Sequence, residues 1–128
     1  MLDQCMAILQ DKPDGFSLIS GDDAIALPLI ALGAEGLISV TANAFQQLFS
    51  EMIRAARAGQ LEAARALHYQ LLSLIHLNFK EGNPVGVKAQ MEVLGICGAA
   101  VRLPLIEASE ALKAEIATTI SRLPKAMA

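Results

Sequence analysis

The octapeptide Gly36-Leu37-Ile38-Ser39-Val40-Thr41-Ala42-Asn43 sets three large apolar side chains between a glycine and a Thr-Ala-Asn segment. That is the pattern of a short buried strand handing over to a helix cap. Upstream, Phe16-Ser17-Leu18-Ile19-Ser20 repeats it, after the turn Pro13-Asp14-Gly15 and before a stop at Gly21. Asp22 or Asp23 is placed to cap the helix between the two strands, which runs through Leu27, Ile30 and Leu32 to a stop at Gly33. Pro28 has no amide hydrogen, so that helix should start late or kink there. Strand, helix, strand, helix with short connections predicts parallel strands and a right-handed crossover.

Outward from this unit the chain is helical. Residues 1–11 place Leu2, Met6 and Leu9 at helical spacing with no cap before the first turn, an abrupt start that leads us to expect a segment of a longer chain. Downstream, Phe45, Leu48, Phe49, Met52 and Ile53 form one apolar stripe, ended by Gly59. Leu61, Ala64, Leu67 or His68, Leu71, Ile75 and Phe79 form a second, closed by Glu81-Gly82-Asn83-Pro84. A third runs through Val87, Met91 and Leu94 to Gly95. Val101–Leu105 looks extended, and Ser109 caps a last helix carrying Leu112, Ile116 and Ile120.

Two parallel strands do not make a fold. Apolar on both faces, they need cover on both, and here one helix layer is available while the edges stay open. Residues 13–42 are therefore expected to be oligomeric, aggregation-prone or molten in the isolated chain, with the best order in 43–123.

Composition narrows the function. The 128 residues are 54% hydrophobic and 18% charged, with a mean hydropathy of +0.46, which excludes a disordered tail. Ten basic against thirteen acidic residues give a net charge of −3, the wrong sign for nucleic acid. No apolar run approaches the roughly 18 residues of a membrane span. Asp3 stands where a secretory signal would carry Lys or Arg. Cys5 and Cys97 form no CxxC motif and are expected to be reduced thiols in a cytoplasmic protein.

Three segments, in order, carry a family resemblance: Ser20-Gly21-Asp22-Asp23, then Gly36–Asn43, then Gly82-Asn83-Pro84-Val85-Gly86-Val87-Lys88, the last followed by Val101-Arg102-Leu103-Pro104-Leu105. Together they resemble the C-terminal part of the 4-hydroxy-tetrahydrodipicolinate synthase (dihydrodipicolinate synthase) family of pyruvate-dependent class I aldolases. Ser-Gly-Asp-Asp and Arg-Leu-Pro are weak signals singly; the octapeptide at this distance from Ser-Gly-Asp-Asp is a strong one. Gly86 departs from the family, where many members carry a second proline after Asn-Pro.

The resemblance implies an α/β fold: the last two βα units of a TIM (β/α)8 barrel in residues 1–58, with strands at 16–20 and 37–40, then a C-terminal helical extension in 59–128. It implies condensation of pyruvate with aspartate semialdehyde through a lysine Schiff base, in lysine and diaminopimelate biosynthesis. No cofactor, metal, nucleic acid or membrane is called for, and the family is usually a homotetramer. In such barrels the active site lies at the C-terminal strand ends. There the resemblance implies that Ile38 lines the pyruvate pocket and that the backbone of Gly21 lies close by. It places the Schiff-base lysine on the sixth strand and the proton-relay tyrosine on the fifth, both upstream of residue 1. This chain should then hold no catalytic residue and be inactive alone.

The residues present agree with that expectation. A Schiff-base lysine needs a desolvated pocket or a neighbouring cation. Lys12 and Lys80 fall in turns or helix ends, Lys88 and Lys113 on helices, and Lys125 in the tail, while the lone Tyr69 lies on a helix. For the remaining polar residues two readings compete. Asp22 and Asp23 face a substrate amine or aldehyde, or cap a helix; Ile38 is a pocket wall or barrel core. His68 and His76 share a helix with no third metal ligand nearby. Cys97 reads as a small buried residue, Arg54, Arg57 and Arg65 as a solvated face, and Lys88 as capping loop carbonyls. Two alternative functions stay open: another pyruvate aldolase, of the N-acetylneuraminate lyase or 2-keto-3-deoxy sugar acid type, or a non-catalytic helical interaction module.

Overall fold

The computed structural model describes residues 2–123; Lys125 lies outside them. Among the described residues the elements run α1 (Leu2–Asp11), β1 (Ile19–Ser20), α2 (Ala26–Ala31), β2 (Gly36–Leu37), a 3-10 turn (Thr41–Asn43), α3 (Gln46–Arg57), α4 (Leu61–Phe79), α5 (Val85–Val93) and α6 (Glu110–Ser121). The two strands are parallel, with Ile19 opposite Gly36 and Ser20 opposite Leu37. Main-chain bonds from Glu35 N–H to the Leu18 carbonyl and from Ile38 N–H to the Ser20 carbonyl, each 2.9 Å, flank the ladder.

Helices α3, α4 and α6 follow from their stripes, whereas α1 buries none of its residues. Leu48, Phe49 and Met52 of α3, Leu71, Leu74 and Ile75 of α4, and Leu112 and Ile116 of α6 converge in one core with Ala26, Leu29 and Ile30 of α2. Every such large side chain taken out of water contributes about 1.5–3 kcal/mol. Pro28 is the third residue of α2, in the first turn where its missing N–H has no intrahelical partner to lose, so the helix starts late and does not kink. Gly33, at φ +110°, ends it. The Gly33 and Ala34 amides donate back to the Ile30 and Leu29 carbonyls, a pairing that needs a left-handed residue at this position. The Ser109 hydroxyl accepts from the Leu112 amide at 3.1 Å and caps α6 as expected.

Gly86 has a structural account. A Cβ there would fall on the Leu77 carbonyl oxygen and within 2.7 Å of the Asn78 carbonyl oxygen. The bare backbone of α5 therefore packs directly on α4.

The structure departs from the sequence expectation at several points. The strands are shorter than 16–20 and 37–40, because only two residues in each find a partner across the ladder. Neither Asp22 nor Asp23 caps α2, whose N-cap is Ile25 without a side-chain bond. Thr41–Asn43 forms its own 3-10 turn, and α3 begins after Phe45, also uncapped by a side chain. Val101–Leu105 has no strand beside it and turns at Leu103-Pro104, with the Leu105 amide donating to the Arg102 carbonyl. Lys88 reaches the Cys97 sulfur at 3.6 Å in place of loop carbonyls, and Cys97 is half-buried. Burial does not begin at residue 43: Ala26, Leu29, Ile30, Ala34 and Thr41 belong to the buried interior. The uncovered part is the strand layer. Phe16, Ile19 and Ile38 are exposed, and Leu18, Leu37 and Val40 are half-buried.

Candidate functional site at the strand ends

The carboxyl ends of β1 and β2 lie side by side. Ile38 N–H bonds the carbonyl of Ser20, so Gly21 and Ile38 leave the sheet from adjacent positions. Ile38 is 78% exposed and belongs to no core in this chain. A Cβ built on Gly21 would meet nothing within 4 Å, which leaves its backbone approachable. A groove of about 240 Å³ beside it is lined by Cys5, Leu18, Ser20, Gly21 and Asp22.

The two aspartates divide their work. Asp22 Oδ1 accepts from the Ala24 amide at 2.9 Å, a local Asx turn. Asp23 is buried and reaches across to the second loop, where its Oδ2 accepts from the Thr41 amide at 2.8 Å and the Thr41 hydroxyl at 2.6 Å. The Thr41 oxygen in turn accepts from Asn78 Nδ2 of α4 at 2.7 Å. Asp23, Thr41 and Asn78 are 3%, 0% and 0% exposed. This chain of bonds ties both strand-end loops to α4. Asn78, the last residue but one of α4 and set between Leu77 and Phe79, is not distinguished by the sequence alone. Its only signal is a polar residue beside Leu77 where the stripe calls for an apolar one.

The lysines are engaged elsewhere. Lys12 Nζ donates to the Phe16 carbonyl at 2.7 Å and lies 3.7 Å from Glu35, at the opposite ends of the strands. Lys80 pairs with Glu115. Desolvation pulls the Lys113 pKa down, yet Glu110, Glu92 and Glu107 around it raise it overall. A more basic amine is less available as a nucleophile. His68 is buried, and burial lowers its pKa below the ordinary 6.5. Its ring meets Tyr69 edge to face at 5.7 Å, while His76 is exposed. Among the described residues no three His, Cys, Asp or Glu side chains group as metal ligands, and no helix is long and apolar enough to cross a membrane. Arg54, Arg57 and Arg65 are exposed.

Two parallel strands joined through one helix, with an apolar residue and a bare glycine at their carboxyl ends, make a βαβ unit of the α/β class. The model of the dihydrodipicolinate synthetase family matches residues 1–123, and the chain belongs to that family. It is 43% identical over 126 residues to the 4-hydroxy-tetrahydrodipicolinate synthase of Azobacteroides pseudotrichonymphae, covering 98% of this chain and 40% of that protein. The crystal structure of dihydrodipicolinate synthase from Aquifex aeolicus superposes with a TM-score of 0.89 at 38% identity, over 95% of this chain and 42% of that one. A chloride-inhibited dihydrodipicolinate synthase from Acinetobacter baumannii, solved in complex with pyruvate, gives 0.85 at 32% identity, over 93% and 41%. The chain thus spans about two-fifths of the length of the relatives it matches.

Proposed function

We propose that this chain is the C-terminal part of a 4-hydroxy-tetrahydrodipicolinate synthase, a cytoplasmic homo-oligomeric lyase that condenses pyruvate with aspartate semialdehyde. In this reading residues 1–58 supply the last two βα units of the barrel and 59–128 the helical extension. The single observation that carries it is the family match over residues 1–123.

The reaction asks two things of these residues. A lysine amine must attack the pyruvate ketone as the free base, which needs a pocket poor in water. Ile38, apolar and projecting from the end of β2, forms one wall that keeps water out. The substrate must also lie close to the backbone to be held in register for attack. Gly21, with open space where a side chain would stand, allows that approach. Expulsion of water from the resulting carbinolamine gives the Schiff base. Loss of a methyl proton then leaves an enamine, whose carbon attacks the aldehyde. The attacking lysine and the proton-relaying tyrosine come from strands upstream of residue 1, so the isolated chain binds neither substrate productively. The pyruvate complex of the Acinetobacter relative supports the choice of first substrate.

The test is completion of the barrel. Joined to the upstream portion of the Aquifex aeolicus enzyme, this chain should restore condensation of pyruvate with aspartate semialdehyde. A folded hybrid with no such activity would count against the reading.

A further inference from the structure

We propose that Thr41 and Asn78 are positioning residues: the hydroxyl of Thr41, held by Asn78 of α4, fixes the loop that carries Ile38. The functional consequence rests on the reading of Gly21 and Ile38 as pocket residues; the geometry does not. Ile38 has no packing of its own to hold it, being 78% exposed. What fixes its position is the backbone on either side. On one side its amide bonds the Ser20 carbonyl. On the other, three residues on, Thr41 is clamped by Asp23 through two bonds and by Asn78 through a third.

Position 78 is an uncommon place for an amide, and its one side-chain bond goes to the Thr41 loop. Asn78 is fully buried, and its Oδ1 has no partner, nor has Oδ1 of Asp23. An unpaired buried oxygen is costly, and a leucine beside Leu74 and Leu77 would fill the core without that cost. A network that breaks the core rule while pinning a loop is the kind of exception found at functional sites. Asn78 also lies where Gly86 brings α5 against the α4 backbone, so the anchor sits at a close helix–helix contact. The helices after Gly59 thereby become part of the strand-end architecture. The Thr41 hydroxyl is oriented from both sides: it donates to Asp23 and accepts from Asn78, two roles that its one oxygen fills together.

Amide hydrogen exchange on the full 128-residue chain tests this, with Asn78→Leu, Thr41→Val and Thr41→Ser. In Asn78→Leu, exchange at Thr41 and Ile38 should accelerate about tenfold, the scale of one lost buried hydrogen bond, while Leu112 and Ile116 in α6 keep their protection and the denaturation midpoint holds or rises. Thr41→Val should do the same or more at the loop, and Thr41→Ser, which keeps the hydroxyl, should restore the wild-type rates. Three results would overturn the proposal: a Thr41 amide already unprotected in the wild type, loop exchange unchanged in Asn78→Leu, or protection lost evenly along the chain. Failure of the completed barrel to turn over pyruvate would instead sink the functional reading and leave these rates as they are.

Discussion

The amide of Ile38 donates to the carbonyl of Ser20 at 2.9 Å, and through that one bond the two strand ends share a register. It sets Gly21 beside Ile38 although the strands themselves are only two residues long. Helix α2 packs against β2, and α4 holds the Thr41 turn that follows it.

Exposure predicts how Ile38→Ala behaves. With Ile38 78% exposed, truncation in the isolated chain should change stability by less than about 0.5 kcal/mol. In a completed barrel the same change should mainly raise the KM for pyruvate. Chemical denaturation and steady-state kinetics check the two halves; a large stability loss in the isolated chain would return Ile38 to the core.

Gly86→Ala should be strongly destabilising, by about 1–3 kcal/mol, because the new methyl meets α4 backbone that cannot rotate away. Gly98→Ala, where nothing lies within 4 Å, should stay within about 0.5 kcal/mol. Equal denaturation midpoints for the two variants would contradict the close α4–α5 packing.

Helices were legible in the sequence because burial repeats with their period: the stripes in α3 and α6 reappear as Leu48, Phe49 and Met52, and as Leu112, Ile116 and Ile120. Strand lengths were not. Phe16, Leu18 and Val40 carry strand-like side chains, but a ladder grows only where a neighbour offers hydrogen bonds, and each strand has one neighbour here. Gly21 and Ile38 were placed by resemblance, since nothing local distinguishes Ile38 from Leu37. The Asp23–Thr41–Asn78 contact was out of reach for another reason. Thr41 and Asn78 are 37 residues apart, and Asp23 looks locally like a cap until the tertiary structure gives it a better donor.

His68 gives the chain a pH dependence of stability. Its folded pKa is lowered by burial, so the unfolded chain takes up the proton more readily. Stability is therefore full above about pH 6.5 and falls as pH drops through the lowered folded value. Denaturation midpoints should decline across that window in the wild type and less so in His68→Gln. The same slope in both would assign the effect to other groups.

At α6, Ser109→Ala should cost about 1 kcal/mol through loss of the cap. Ser109 also donates its hydroxyl and amide to Glu81, and these bonds hold the Glu81 carboxyl below its usual range. Carbon-detected NMR titration should show Glu81 moving back up in the variant. A Glu81 titration curve unchanged by the substitution would show that the bonds do not form in solution.

The central claim is that the reacting amine lies outside these residues, on a barrel that this chain completes. Borohydride reduction with pyruvate, followed by intact-mass and peptide mass spectrometry, tests it most directly. The isolated 128-residue chain should keep its mass, while the chain joined to the upstream Aquifex aeolicus portion should carry one pyruvate adduct on a lysine of that upstream portion. An adduct on Lys12, Lys80, Lys88, Lys113 or Lys125 of the isolated chain would contradict the account.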